Sequence, residues 1–249
     1  MRVDDDGRGA SLPGSALVSS IQVGLPRRTG IEDAPEALDR PWTSGIWKDV
    51  VTTPVWCGRT NLAGDGQADL RVHGGPEKAV LAYAAAHYPL WHAELAIPEL
   101  GAGGFGENLT VEGLTERDVC IGDTVALGGA VLQLSQPRGP CWKLGRRWRM
   151  ADLPALTQRT GRTGWYYRVL EEGEVAPGQR LTIVDRPHPE WTVARANMVM
   201  YEGRNDPAAT LALAAVPLLS PNWRATLERR ALEGVERAER PRLLGPDGD

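Results

Sequence analysis

The stretch LQLSQPRGPCWKL, residues 132–144, sets Cys141 between Arg138 and Lys143. Cationic neighbours stabilise a thiolate, which makes this sulfur fit for nucleophilic attack or for ligating a soft metal. An isolated Cys is more often a small buried hydrophobe, and the flanking charges are what argue for reactivity here. Gln136 adds an amide to the same stretch, which leaves a strand and is expected to run as a loop stiffened by Pro137 and Pro140.

A second constellation lies upstream, in NLAGDGQADLRVHGGPEKAV. Gly74 and Gly75 allow the backbone to turn tightly or to approach a ligand, and Arg71, His73 and Lys78 surround them with donors suited to a phosphate. The alternative is a plain tight turn. A third, GFGENLTVEGL, brackets Phe105 with glycines and offers Glu107 and Asn108 either to orient a heterocycle or to satisfy backbone groups at a strand start.

Other reactive types look structural. Cys57 and Cys120 sit in the apolar runs VWC and VCI, and His87 and His92 are badly spaced for a metal. His188 reads as linker, and ERRALEGVERAERPR as a solvated charged face. Three widely separated Cys form neither a disulfide framework nor, from this chain alone, a zinc or iron–sulfur site. No GxxxxGK[ST], GxGxxG after a strand, HExxH or GxSxG is present.

With 249 residues the chain can bury a substantial core, as one large domain or a medium domain with an appendage. Lys+Arg 28 against Asp+Glu 32 leaves no basic excess for a nucleic-acid backbone. No apolar run approaches the roughly 20 residues needed to span a bilayer, and the amino end carries three Asp rather than positive charge. Neither nucleic acid nor membrane is expected as a partner, and a cytoplasmic location is. Only three of the basic residues are Lys, at positions 48, 78 and 143, and Phe105 is the sole Phe. In so Arg-biased a chain a retained Lys points to a need for a compact ammonium.

The elements that must position these groups read as follows. Residues 1–14 are a polar, flexible tail, and alternation in ALVSSIQVG predicts the first strand. LPRRTGIEDAPEALDRPWTSG reads as a long loop. From Ile46 onward short apolar runs cut by Gly, Pro and Asp predict a mainly β sandwich or barrel. DTVALGG and AVLQLSQP predict a hairpin whose turn uses positive φ at Gly128 and Gly129, with the second strand ending at Pro137. TERD predicts one helical turn. Residues 79–95 predict a strand through about Tyr83 and a helix from near Ala85 that tolerates Pro89 in its first turn. GWYYRVL and QRLTIV are expected to pair, with EEGEVAPG as the turn between them. After HPEW, three helical segments follow, introduced by Thr192, Asp206 and Ser220 as N-caps, and such short helices need a surface to pack on.

SGIWKDVV, LAGDGQADLRVHGGPEKAV, FGENLTVEGLTERDVCIGDTV, LQLSQPRGPCWKL and GWYYRV, in that order, resemble the MOSC domain, in the YiiM type where a three-helix region follows. The resemblance implies a MOSC β-barrel with peripheral helices at 15–186 and a small C-terminal three-helix domain at 190–237. It also implies a molybdenum cofactor (molybdopterin-bound molybdenum) whose metal is ligated by Cys141. Arg71, His73, Gly74, Gly75, Arg138 and Lys143 would hold the pterin phosphate or its surroundings, and Asn108 and Gln136 the pterin or substrate. Arg71 stands where the family commonly has Lys. The implied activity is reduction of N-hydroxylated compounds such as 6-N-hydroxylaminopurine. The sequence holds no ferredoxin-like Cys cluster or flavin motif, so a separate electron-donating reductase is implied. The alternative is a non-enzymatic carrier of the cofactor or of Cys-bound sulfur.

Overall fold

The alternation in SALVSSIQV makes strand β1 (Ser15–Val23), but its inward set is Ala16, Val18 and Ile21, a period broken once. The break is a bulge: pairing with the neighbouring strand slips between Val18 and Ser20, which moves Ile21 to the buried face. The structure is a computed structural model that describes residues 14–70, 73–203, 205–235 and 238–245. The predicted tail at 1–14 and Arg71 therefore fall almost wholly outside the described residues.

Strands β2 (Arg27–Thr29), β3 (Trp42–Ser44), β4 (Asp49–Val51), β5 (Val55–Cys57) and β6 (Val80–Ala84) precede helix α1 (His87–Glu94). Next come β7 (Leu109–Glu112), β8 (Thr124–Leu127), β9 (Ala130–Pro137), helices α2 (Trp142–Trp148) and α3 (Leu153–Thr160), then β10 (Trp165–Glu171), β11 (Gly173–Val175) and β12 (Arg180–Asp185). Helices α4 (Val193–Tyr201), α5 (Pro207–Ala214), α6 (Pro221–Glu233) and α7 (Arg240–Leu244) follow.

Seven strands close into a barrel in the order β12, β8, β9, β10, β6, β7, β1, with β1 pairing back to β12 and β4 extending β1 outside the ring. Closure removes the exposed sheet edges. Alternating residues fill the interior: Leu132 and Leu134 from β9, Trp165, Tyr167 and Val169 from β10, Leu181 and Ile183 from β12. The β6–β7 pair is parallel, so the chain must cross over between them, and α1 lies in that crossover. β6 is buried at all five positions because both its faces are covered. Val80 and Ala82 enter the barrel core, while Tyr83 joins a second cluster with Trp91, Phe105 and Leu144.

Several expectations are corrected. GWYYRVL and QRLTIV do not pair: β10 lies between β9 and β6, and β12 between β8 and β1. The intervening segment is no mere turn, since β11 peels away to pair with β5. The long loop after β1 folds back as the β2–β3 ribbon. In the hairpin turn Gly128 alone has positive φ, 54°. TERD forms a turn in which the Asp118 carboxylate accepts from Thr115 N and Oγ1, without a helix. The stretch after Pro140 is not loop but α2, with α3 behind it.

The three C-terminal helices do not stand apart. Trp191, Val193, Ala196, Leu213 and Leu227 belong to the same apolar cluster as the barrel, and each buried Val or Leu contributes about 1.5–3 kcal/mol. Thr192 and Asp206 cap as expected, accepting from Arg195 N at 3.1 Å and Ala209 N at 2.9 Å. Ser220 does not. Its N–H reaches the Ser135 carbonyl at 2.9 Å and its hydroxyl donates to Gln136 Oε1 at 2.7 Å, stitching α6 to β9. Ser220→Ala strands the buried Gln136 oxygen and is expected to cost about 1–3 kcal/mol; an unchanged urea midpoint would show that the stitch carries no weight. Among the described residues no helix is long and apolar enough to cross a membrane.

Candidate functional site

Where β9 ends, the chain exposes its chemistry. Pro137 cannot extend a ladder, and the next residue is anchored instead by Arg138 N donating to the Gly164 carbonyl at 3.0 Å. Gly164 is itself clamped, its N–H donating to Glu116 Oε1 at 2.7 Å, and Glu116 Oε2 lies 2.6 Å from His87 Nε2. His87 is thus a packing residue. The Arg138 side chain is buried at 5% exposure, donates from Nη2 to the Phe105 carbonyl at 3.2 Å, and leaves Nη1 buried without a partner. Cys141 follows in extended conformation as the residue that caps α2, and Lys143 sits in that helix's first turn.

The second constellation meets it from the other side. Gly74 and Gly75 both adopt φ of 81°, a left-handed pair that turns the backbone sharply after His73 and before the short Pro76–Lys78 turn. That turn is pinned to the barrel: the Glu77 carbonyl accepts from Ser135 Oγ, and its carboxylate pairs with Arg168 at 2.5 Å. His73 Nε2 consequently lies 3.6 Å from Cys141 Sγ, while His73 Nδ1 is buried without a partner.

Cys141 is half-buried, and its thiol is lowered from 9.0 to about 6. Burial alone pushes it up. The hydrogen bond and charge of His73, the charge of Arg138 and the Lys143 backbone N–H outweigh that and favour the thiolate. The contrast with Cys57 and Cys120 is physical: both are buried without such donors and are pushed up to about 12 and about 11. Alkylation of Cys141 by iodoacetamide should therefore rise through a midpoint near pH 6. In His73→Ala burial of the thiol outweighs the remaining donors and the midpoint is expected to move up by about one pH unit or more; a midpoint that stays put would exclude His73 as the stabilising partner.

Two hollows meet at this sulfur. One, open at its mouth, is lined on the barrel side by His73, Gly74, Lys78, Arg138, Cys141 and Lys143. The other, a cleft of about 630 Å³, runs between the barrel and helices α4, α6 and α7 and shares His73, Lys78, Cys141 and Tyr166 with the first. Gly75 carries the turn but does not line either hollow.

Two anticipated binding groups are engaged inside the protein. Asn108 Oδ1 accepts from Leu81 N at 3.0 Å, and its Nδ2 donates to Gln22 O at 3.2 Å and Asp65 Oδ2 at 3.0 Å, although the residue borders the barrel-side hollow. Gln136 lies in β9 rather than on a loop and lines the cleft, with Oε1 bound by Ser220 and Nε2 donating to the Pro137 carbonyl. Glu107 orients no heterocycle. It is fully buried and accepts from Gly103 N, Phe105 N and Tyr88, while Phe105 stacks on Tyr83 at 4.3 Å. The charged tail is not uniformly solvated either: Arg230 is buried against the Val199 and Met200 carbonyls, and Arg242 donates to the Pro140 carbonyl beside Cys141.

Tyr166 was not singled out by the sequence reading. It faces both hollows, and burial pushes its phenol up to about 12 against the charge of Arg138, so it holds its proton at neutral pH. The alternation of GWYYRV, which turns Trp165 and Tyr167 into the core, was the available signal. Among the described residues no cluster of three or more His, Cys, Asp or Glu is arranged to hold a metal ion.

A seven-strand barrel that delivers a low-pKa Cys to a cationic hollow, with helices packed on its flank, defines a MOSC-domain protein. The MOSC domain model matches residues 69–182, and the chain belongs to this family. The helices match the YiiM-like, 3-alpha helix domain at residues 191–232, and the chain is similar to YiiM from Geobacillus stearothermophilus, whose crystal structure superposes with a TM-score of 0.72 at 37% identity over 87% of this chain and 99% of that one. It is 45% identical to the uncharacterized protein YflK of Bacillus subtilis over 75% of this chain and 84% of that protein. A Gibberella moniliformis protein named reductase is 41% identical over 66% of this chain, but the match spans only 30% of the fungal protein.

Proposed function

We propose that this protein binds a molybdenum cofactor and reduces N-hydroxylated compounds, 6-N-hydroxylaminopurine among them, using electrons from a separate reductase. The observation that carries the reading is a thiol lowered to about 6 at the junction of a cationic hollow and a large cleft. The donor set fits the group. Among the described residues Cys141 and His73 stand without further metal-ligating side chains grouped round them, so a metal at Cys141 would call for an organic chelator. The buried, partnerless Arg138 Nη1 and His73 Nδ1 suit an anionic group on that chelator.

Cys141 would ligate the metal, and Arg138, His73 and Lys143 would hold the cofactor's phosphate side. The cofactor, when bound, supplies the oxygen-atom and electron chemistry. The reaction R–NHOH + 2e⁻ + 2H⁺ → R–NH₂ + H₂O also needs protons and a dry pocket. Tyr166 Oη holds a proton where both hollows meet and serves as hydrogen-bond donor to the departing oxygen. Arg138 and His73 keep the Cys141 sulfur ionised so that it stays bound. Electrons must arrive from outside, because the sequence holds no ferredoxin-like Cys cluster or flavin motif. The free thiols of Cys57, Cys120 and Cys141 agree with the reducing cytoplasm, where we place the protein.

The cleft on the far side of the sulfur favours an enzyme over a carrier, because a carrier needs the phosphate grip but no separate substrate space. Protein made in a host that synthesises the cofactor, supplied with an artificial electron donor, should convert 6-N-hydroxylaminopurine to adenine. Full molybdenum content without conversion would favour the carrier.

A further inference from the structure

The cleft between barrel and helices has a chemistry that a bare base does not use. Its walls carry aromatic surface from Trp142, Tyr166, Tyr201 and Trp223, suited to a flat heterocycle. Among the described residues its charge is one-sided: Glu239 is the only acid lining it, and that carboxylate already accepts from Arg242 and Gln158. Among the cleft's guanidinium groups, Arg230 donates to the Val199 and Met200 carbonyls, and Arg242 to Pro140 and Gln158. Arg229 differs. It lines the cleft, is exposed, and has no hydrogen-bond or ion-pair partner among the described residues. Roughly 300–1,000 Å³ is ordinary for a pocket taking a drug-sized ligand, and the cleft's volume of about 630 Å³ lies within that range, with room for more than a bare purine.

We infer that the cleft takes its N-hydroxylated purine as a nucleoside 5′-monophosphate, with the base directed past Tyr166 toward Cys141 and the phosphate met by Arg229. The inference rests on the reading of Cys141 as the reaction centre. A guanidinium fork matches phosphate oxygens two at a time, and an exposed fork at a rim attracts an anion without the cost of burying a charge. Arg229 thereby selects the phosphorylated form over the free base or nucleoside.

Calorimetric titration of the cofactor-free protein with AMP and with adenosine isolates the phosphate contribution and needs no turnover. AMP is expected to bind about five- to tenfold more tightly than adenosine, a preference that weakens with added salt. Arg229→Ala, on an exposed face where folding is undisturbed, should abolish most of that preference. Equal binding of AMP and adenosine, no binding of either, or a preference that survives Arg229→Ala would overturn the inference. So would a preference lost in Arg138→Ala but intact in Arg229→Ala, because that result seats the phosphate in the barrel-side hollow. Turnover of the free base by cofactor-loaded protein is a separate measurement: if it succeeds while the AMP preference is absent, the reductase reading stands and only this inference fails.

Discussion

If the protein is the molybdenum-dependent reductase proposed above, Cys141→Ser is expected to lose the metal and at least about 10³-fold in turnover, close to 4 kcal/mol of barrier. The substitution changes little in volume and leaves the extended backbone that caps α2 able to form. What it removes is an ionisable, soft donor. The His73 contact, the Arg138 charge and the Lys143 N–H lower a thiol to about 6, whereas a serine hydroxyl stays protonated at any working pH and is a poor ligand for a metal that binds thiolate. The pH sign follows. Above about 6 the sulfur is ionised and would be free to ligate a metal; as pH falls below that value the proton competes, and metal affinity should weaken. Molybdenum analysis of the two proteins made side by side checks this. Equal metal content would mean that the thiol at 141 is not a ligand, and both the enzyme and the carrier readings would go with it.

Lys48→Met is expected to destabilise the protein by about 3–5 kcal/mol, the usual cost of leaving one half of a buried pair uncompensated. The ammonium of Lys48 and the carboxylate of Asp65 pair directly, with both side chains 1% exposed. Asp65 also accepts from Gly24 N at 2.9 Å and from Asn108 Nδ2 at 3.0 Å, and Asn108 in turn grips Leu81 and Gln22. One carboxylate therefore ties the loop after β5 to β1, β6 and β7 beneath the barrel-side hollow. For a chain of this length the loss corresponds to a fall in Tm of roughly 10 °C. Replacing both partners, Lys48→Met with Asp65→Leu, should recover part of it, because no charge is then left buried. A single variant that melts with the parent would show the pair to be energetically idle. The retained Lys at this site is explained by the same geometry, since a compact ammonium fits where an Arg fork does not.

The chain's own residues said much about the site before any coordinates. Cys141 between cations, and the His73-Gly74-Gly75 turn, are local patterns whose chemistry follows from residue type, and the structure brings Cys141, His73, Gly74, Arg138 and Lys143 round one hollow. Asn108 and Gln136 were legible as polar groups in the right stretches, but not as groups held by Leu81, Gln22 and Ser220, because an amide's orientation is decided by partners far along the chain. Tyr166 escaped notice, and the arginines of the helical region read only as a solvated face, for the same reason. Their strands and helices could be read, but not which hollow they face.

Alternation, capping residues and turn glycines act over a few neighbours, so the sequence by itself determined the strands of β1, β6, β8 and β9, the helices α4 to α6, and a sulfur primed by adjacent charge. Which strands pair, which way a buried amide points and that a second cleft opens on the same sulfur were decided only by the tertiary structure. These depend on barrel closure and on contacts such as that of His73 with Cys141, 68 residues apart, for which local spacing carries no information.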